Sequence, residues 1–100
     1  MIQQLHTADA LTELAEKSPK LVVCFQASWS RPCRLFTPAL EQAAAEAPAG
    51  LAFACLDADG TLSEKYGVRS LPTLVYFRDG QPVRRSVGLQ SAAGILEQAR

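Results

Sequence analysis

Ser30 and Cys33 lie three positions apart, at the spacing of the two thiols in a dithiol redox motif. The full segment reads Trp29-Ser30-Arg31-Pro32-Cys33-Arg34. A thiol pair reduces a disulfide because one thiolate attacks it and the second then releases the mixed disulfide. Serine cannot attack in this way, since an alcohol is almost wholly protonated at neutral pH. The segment therefore indicates a dithiol site without its first sulfur, and we expect dithiol turnover through it to be impaired.

Two interpretations of Cys33 stay open. It either reacts as a single thiol that forms mixed disulfides, or it is an inert, packed side chain. Ser30 also lacks an activating base, because the only histidine of the chain, His6, lies far away near its start. Any chemistry at this motif is therefore expected to depend on Cys33.

The elements on either side of the motif explain how it would be positioned. The apolar run 21–25 precedes it and is typical of a strand buried on both faces, and an Ala- and Leu-rich helical pattern follows it. Open α/β sheets place their chemistry where a strand runs into a helix through a short turn. Ser30 suits the N-cap of that helix and Pro32 its first turn. The positive end of the helix dipole there would favour a thiolate.

The rest of the chain alternates between strand and helix patterns. In the long helix, Leu35 and Phe36 begin a core stripe that continues through Leu40, Ala43 and Ala44, and Pro38 is expected to bend it. Asp79-Gly80 is a hairpin signal, and Gly67 is placed to end a short helix in the left-handed conformation. Strands are predicted at 2–5, 21–27, 51–56, 74–77 and 83–87, and helices at 7–17, 32–47, 61–66 and 91–100.

The composition restricts the classes of function. The 100 residues are enough for one domain, 1–100, and ten basic residues balance ten acidic ones. This neutral balance argues against electrostatic capture of nucleic acid or an anionic membrane. The start of the chain has no signal-peptide pattern, and three cysteines without export signals favour free thiols in the cytoplasm. The cysteines lie on separate elements without ligand spacing, so neither a metal site nor a cofactor is expected.

Taken together, these motifs resemble the thioredoxin family over essentially the whole chain. The family's Cys-Gly-Pro-Cys motif corresponds here to Ser30-Arg31-Pro32-Cys33. The resemblance implies an α/β thioredoxin fold, a three-layer α/β/α arrangement with a central mixed sheet of four to five strands flanked by four helices. It rests on Trp29-x-x-Pro32-Cys33, the helix proline Pro38, the segments 65–73 and 77–80, and Val87-Gly88.

The resemblance also implies a binding site. Pro72 would be cis and would face Cys33, and the backbone of Ser70 and Leu71 would pair with an extended polypeptide. The partners implied are proteins with cysteines or extended segments, and a thioredoxin reductase. The substrate groove would be formed by Trp29, Arg31, Pro32, Ser70, Leu71, Pro72 and Gly88.

Two further positions depart from the family pattern. Cys24 stands where the family has a buried carboxylate beneath the motif, and Cys55 where many members have a lysine paired with it. One interpretation is that two small apolar side chains have replaced a buried charged pair. The other is that Cys24 serves as a second thiol and forms a disulfide with Cys33 or Cys55. Parallel side chains on adjacent strands meet the dihedral requirement of such a bond poorly.

Three functions stay open at this point. The chain is a monomeric thioredoxin-like protein in which Cys33 acts as a single thiol, or a non-redox chaperone or partner-binding module with the same groove. Alternatively, it is an active protein-disulfide reductase that carries an engineered cysteine-to-serine change at Ser30. The replacement of Cys24 and Cys55 argues against the last alternative, because a single engineered change would leave both positions as the family has them.

Overall fold

Strands and helices alternate through the first three quarters of the chain and are followed by a hairpin and a closing helix. The structure is a computed structural model and describes residues 2–58 and 60–100. The helices are α1 (Ala8–Lys17), α2 (Arg31–Glu46), α3 (Gly60–Lys65) and α4 (Ala92–Gln98). The strands are β1 (Ile2–Leu5), β2 (Lys20–Gln26), β3 (Leu51–Asp57), β4 (Thr73–Arg78) and β5 (Gln81–Val87).

The five strands form one mixed sheet in the order β1-β3-β2-β4-β5. β1, β3 and β2 run parallel, whereas β4 is antiparallel to β2 and β5 is antiparallel to β4. Helices cover both faces of the sheet, so the predicted three-layer α/β/α arrangement is confirmed. The central position of β2 also explains its apolar sequence, since a strand covered on both faces has no polar side.

Alternate side chains of β2 contribute to two separate cores. Val23 and Phe25 pack on one face with side chains from α1 and α3. Val22 and Cys24 pack on the other face. That second cluster lies beneath α2 and α4 and consists of Val22, Cys24, Phe36, Leu40, Ala43, Phe53, Cys55, Leu74, Tyr76, Ala92, Ile95 and Ala99.

Leu35 does not belong to the core stripe of α2, contrary to the sequence-based expectation. Its side chain is 58% exposed, whereas Phe36 and Leu40 are buried. Successive helical residues are rotated by about 100°, so spacings of three and four place Phe36, Leu40 and Ala43 along one line. Leu35 lies to the solvent side of that line. Its apolar residue type alone does not indicate that it is exposed.

The hairpin between β4 and β5 is tighter than predicted. Asp79 and Gly80 both have positive φ, at 51° and 84°, as a two-residue primed turn requires. This turn pairs Arg78 directly with Gln81, so β5 begins at Gln81 and not at the predicted Val83. The strand tolerates Pro82 because it lies at the edge of the sheet.

Two arginines of β5 contact the ends of neighbouring helices. Arg85 donates from Nη1 to the carbonyl oxygens of Tyr66 and Gly67, both at 3.1 Å. Arg84 donates to the carbonyl oxygen of Gln98 at 2.7 Å. The register between β4 and β5 also shifts near Tyr76, which marks an irregularity in the pairing. Side chains of β5 thus reach to the ends of α3 and α4.

Candidate functional site

The motif lies at the carboxyl end of β2, where the chain turns into α2. The amide of Ser30 donates to the carbonyl oxygen of Ala27 at 3.1 Å. The guanidinium of Arg34 reaches back to the carbonyl oxygen of Ser28 at 3.1 Å. These two bonds hold the connecting turn against the first turn of the helix, and they leave Trp29 at its tip, 79% exposed.

Ser30 is the N-cap of α2, as predicted. Its Oγ accepts a hydrogen bond from the amide of Cys33 at 3.4 Å, and the side chain is only 6% exposed. Cys33 follows in the first helical turn and is buried as well. His6 follows β1, which β3 separates from β2, so about two strand spacings, or about 10 Å, lie between His6 and the motif strand. The hydroxyl of Ser30 is therefore placed to satisfy a helix end, away from the histidine.

The pairing of three strands brings the proline loop and Gly88 to the same end of the sheet as the motif. Thr73, the first residue of β4, pairs with Phe25 near the end of β2 and with Val87 at the end of β5. The Leu71–Pro72 peptide bond, just before Thr73, is cis. The amide of Gly88 donates to the carbonyl oxygen of Pro72 at 2.9 Å.

The loop before Pro72 is partly engaged within the chain. The hydroxyl of Thr73 donates to the carbonyl oxygen of Ser70 at 2.6 Å. A carbonyl oxygen has two lone pairs, so the Ser70 oxygen can still accept from a bound segment. Ser70 is exposed and Leu71 half-buried. A shallow hollow of about 290 Å³ beside this loop is lined by Gly67, Arg69, Ser70, Arg85 and Val87.

The two cysteines of the sheet lie side by side beneath the motif helix. Cys24 of β2 and Cys55 of β3 are register partners, both are buried, and all three cysteines of the chain are free thiols. The hydrogen bond to Cys55, burial, and the negative charges that Cys55 and Cys33 would carry all raise the pKa of the Cys24 thiol. The same hydrogen bond lowers the pKa of Cys55. The two thiols thus interact directly, with opposite effects on their pKa values.

The raised pKa of Cys24 should have a measurable effect on stability at alkaline pH. Because the folded state holds the Cys24 proton that the unfolded chain releases, the free energy of unfolding should fall above about pH 9. The expected fall between about pH 9 and about pH 10 is about 1 kcal/mol, and the slope approaches about 1.4 kcal/mol per pH unit only once the unfolded thiol is fully ionised. Urea denaturation between about pH 9 and about pH 10 measures this fall in unfolding free energy. At higher pH Tyr76 also contributes, because burial raises its pKa from 10.0. Below about pH 9 the lowered pKa of Cys55 acts in the opposite sense. Cys24→Ala combined with Cys55→Ala should abolish the fall, and an unchanged slope in this double variant would contradict the assignment.

A cavity of about 410 Å³ lies beside Cys55, between β1, β3 and α2. No local sequence pattern predicts this cavity, because its wall comes from four separate elements. The one available signal is the presence of polar residues on α2 and on the strands, among them Thr37, Glu41 and Gln4. The lining residues are Ile2, Gln4, Gln26, Thr37, Leu40, Glu41, Ala44, Ala45 and Cys55.

Within 2–58 and 60–100, no group of three His, Cys, Asp or Glu side chains is arranged to hold a metal ion. None of the helices in this part of the chain is both long and apolar enough to cross a membrane.

Comparison with known proteins gives the same family by sequence and by structure. The Thioredoxin family model matches residues 2–100. The thioredoxin of Mycobacterium tuberculosis is 37% identical over 93 residues, which cover 91% of this chain and 80% of that protein. A thioredoxin-like protein of Synechocystis is 38% identical over 89 residues, covering 86% of this chain and 85% of that protein. A solved thioredoxin mutant from Halobacterium salinarum superimposes with a TM-score of 0.86 at 30% identity, covering 97% of this chain and 88% of that one.

Proposed function

The chain belongs to the thioredoxin family and is a thioredoxin-like thiol-disulfide protein, and on that premise we propose that it acts through one motif thiol. In this proposal Cys33 forms mixed disulfides with cysteine-containing or extended polypeptide segments in the cytoplasm. Dithiol reductase turnover is impaired, because position 30 is a serine. A thioredoxin reductase would act only on a variant of this protein that can form an internal disulfide.

The observation that carries the proposal is the position of the Ser30 hydroxyl. Its oxygen accepts the hydrogen bond of the Cys33 amide and caps α2. A mixed disulfide at Cys33 is normally released by a neighbouring thiolate, which attacks one of its sulfurs. The alcohol at position 30 cannot do this, and the raised pKa of Cys24 keeps the other nearby sulfur protonated at neutral pH. The mixed disulfide should therefore persist until an external thiol releases it.

The neighbourhood of the proline loop supports binding of an extended segment. Ser70 is exposed, and its carbonyl oxygen keeps one lone pair for a bound backbone. A side chain built at Gly88 would meet no atom within 4 Å, so the surface beside Pro72 is open. The exposed ring of Trp29 offers an apolar contact at the tip of the motif turn. In our proposal these residues hold the segment, together with Arg31, Pro32 and Leu71.

The proposal is tested by trapping a peptide on Cys33. A cysteine peptide activated as an aryl disulfide is mixed with the protein, and the adduct is located by peptide mass spectrometry. We expect an adduct on Cys33 that survives for hours without added thiol, and no peptide adduct on that site in Cys33→Ala. Release of the peptide with formation of an internal disulfide at Cys33 would overturn the proposal.

A second candidate function is favoured by the exposed apolar side chains. Trp29, Val87 and Leu89 are all exposed, and the last two flank Gly88. Such a surface suits a chaperone or partner-binding module that holds apolar segments without electron transfer. If Cys33→Ala suppresses aggregation of an unfolded protein as well as the original chain does while Trp29→Ala loses this effect, the non-redox function is the better description.

A further inference from the structure

A thiol outside the motif faces a cavity of ligand size. Cys55 lines the cavity of about 410 Å³ between β1, β3 and α2, which we call the Cys55 cavity. Pockets for small molecules typically measure about 300–1,000 Å³, so this space admits a molecule of a few heavy atoms. Leu40, Ala44 and Ala45 give it an apolar side along α2, and Gln4 and Gln26 provide amides at the strands.

The charges around the Cys55 cavity are negative. Among the described residues that line the cavity, Glu41 is the only acidic or basic side chain. Asp57, at the end of β3, also acts on the Cys55 sulfur by its charge. A cationic ligand would gain from both carboxylates, whereas an anionic ligand would be repelled by both.

Two neighbouring side chains act on the Cys55 sulfur. Hydrogen bonding by Cys24, and to a smaller extent by Gln4, lowers the pKa of Cys55. Burial and the charges of Asp57 and Glu41 oppose this effect. Hydrogen bonds that stabilise a thiolate make it available as a nucleophile at lower pH. Cys24, which is not a lining residue, is the positioning residue of this pair.

We propose that Cys55 is a second thiol site of the protein, at which it forms a mixed disulfide with a small cationic disulfide of the aminothiol class that enters the Cys55 cavity. The Cys55 thiolate attacks one sulfur of the small disulfide. A bond forms between Cys55 and that sulfur, and the disulfide bond of the small molecule breaks. The departing half leaves as a thiolate and takes a proton from water, which balances the proton that Cys55 loses. Cys55 is oxidised and the departing half is reduced.

This site is independent of the function proposed for Cys33. The motif would take polypeptide segments at the end of the sheet, whereas the cavity beside Cys55 takes small molecules between the sheet and α2. A peptide disulfide and a small disulfide therefore report on different cysteines, and either proposal can fail without the other.

The test uses cystamine, a dicationic small disulfide, and dithiodiglycolate, a dianionic one. The full chain is treated with each reagent, folding is followed by circular dichroism, and the modified cysteine is located by peptide mass spectrometry. We expect cystamine to modify Cys55 first, at least about tenfold faster than dithiodiglycolate, because the reagents carry opposite charges beside Glu41 and Asp57. In denaturant, all three cysteines should react alike.

Three variants separate the parts of the proposal. Cys55→Ala should abolish the first adduct, with Cys55→Ser as the second choice if folding suffers. Glu41→Gln should reduce the preference for cystamine by about fivefold while leaving Cys55 the modified residue. Cys24→Ala should move the pH of half-maximal labelling upward, which a merely structural role would not do. Earlier labelling of Cys33, or equal rates for the two disulfides, would overturn the proposal.

Discussion

The Ser30→Cys variant should reduce an insulin-type protein disulfide at least about 10²-fold faster than the chain as it stands, because a cysteine is a few per cent thiolate near neutral pH and an alcohol is not. The substitution places a thiol at the N-cap of α2, three residues before Cys33. The helix end favours its ionised form. The thiolate at position 30 would then attack the substrate disulfide, and Cys33 would release the mixed disulfide that forms there.

The matched controls for this variant are Ser30→Ala and Ser30→Cys combined with Cys33→Ala. Neither contains two motif thiols, so neither should turn over when reduction is followed with a chemical thiol as electron source. Strong activity in Ser30→Cys alone would support a recent or engineered loss of the first cysteine. Turnover by the unmodified chain at the rate of Ser30→Cys would contradict the mechanism.

The Cys24→Asp variant should lose about 4 kcal/mol of unfolding free energy near neutral pH, because it introduces an unpaired buried charge. Cys24 lies in the cluster beneath α2 and α4, beside Phe36 and Leu74, and its register partner is a thiol and not a cation. Burial favours the neutral acid, so the folded-state pKa of the introduced carboxyl exceeds its unfolded value of about 3.9. Stability is then greatest below about pH 4 and falls as the pH rises.

Urea denaturation of this variant at several pH values measures the effect. Cys24→Asn is the control of similar shape without a charge, and its stability should not follow the same pH dependence. Adding Cys55→Lys to Cys24→Asp places a cation at the partner position and should recover part of the loss. If Cys24→Asp is as stable near neutral pH as in acid, the site is more hydrated than the structure shows.

The sequence was sufficient for the elements whose local pattern coincides with their final environment. The apolar run of β2 predicted a central strand, and Ser30 predicted the start of α2, because burial on two faces and helix capping depend on neighbouring residues. Gly67 likewise adopts the positive φ expected of a residue that closes a helix. The ordered motifs of the family then identified the arrangement of these elements.

The sequence was insufficient where the outcome depends on how separate elements meet. Leu35 has the residue type of a core position, and only the rotation of α2 against the sheet exposes it. The start of β5 depended on the tight turn at Asp79 and Gly80. The cavity beside Cys55 required the spacing between α2 and three strands, which no local pattern encodes.

The composition of β5 affects whether the chain can associate with other copies of itself through this edge strand. A strand at the rim of a sheet presents unpaired amides and carbonyls, which invite a neighbour to extend the sheet. Pro82 removes one of those donors, and the guanidinium groups of Arg84 and Arg85 bridge to the adjacent helix ends. A strand that approached this edge of the sheet would meet positive charge and a row of backbone donors interrupted at Pro82. The fold thereby discourages fibril-like growth along β5.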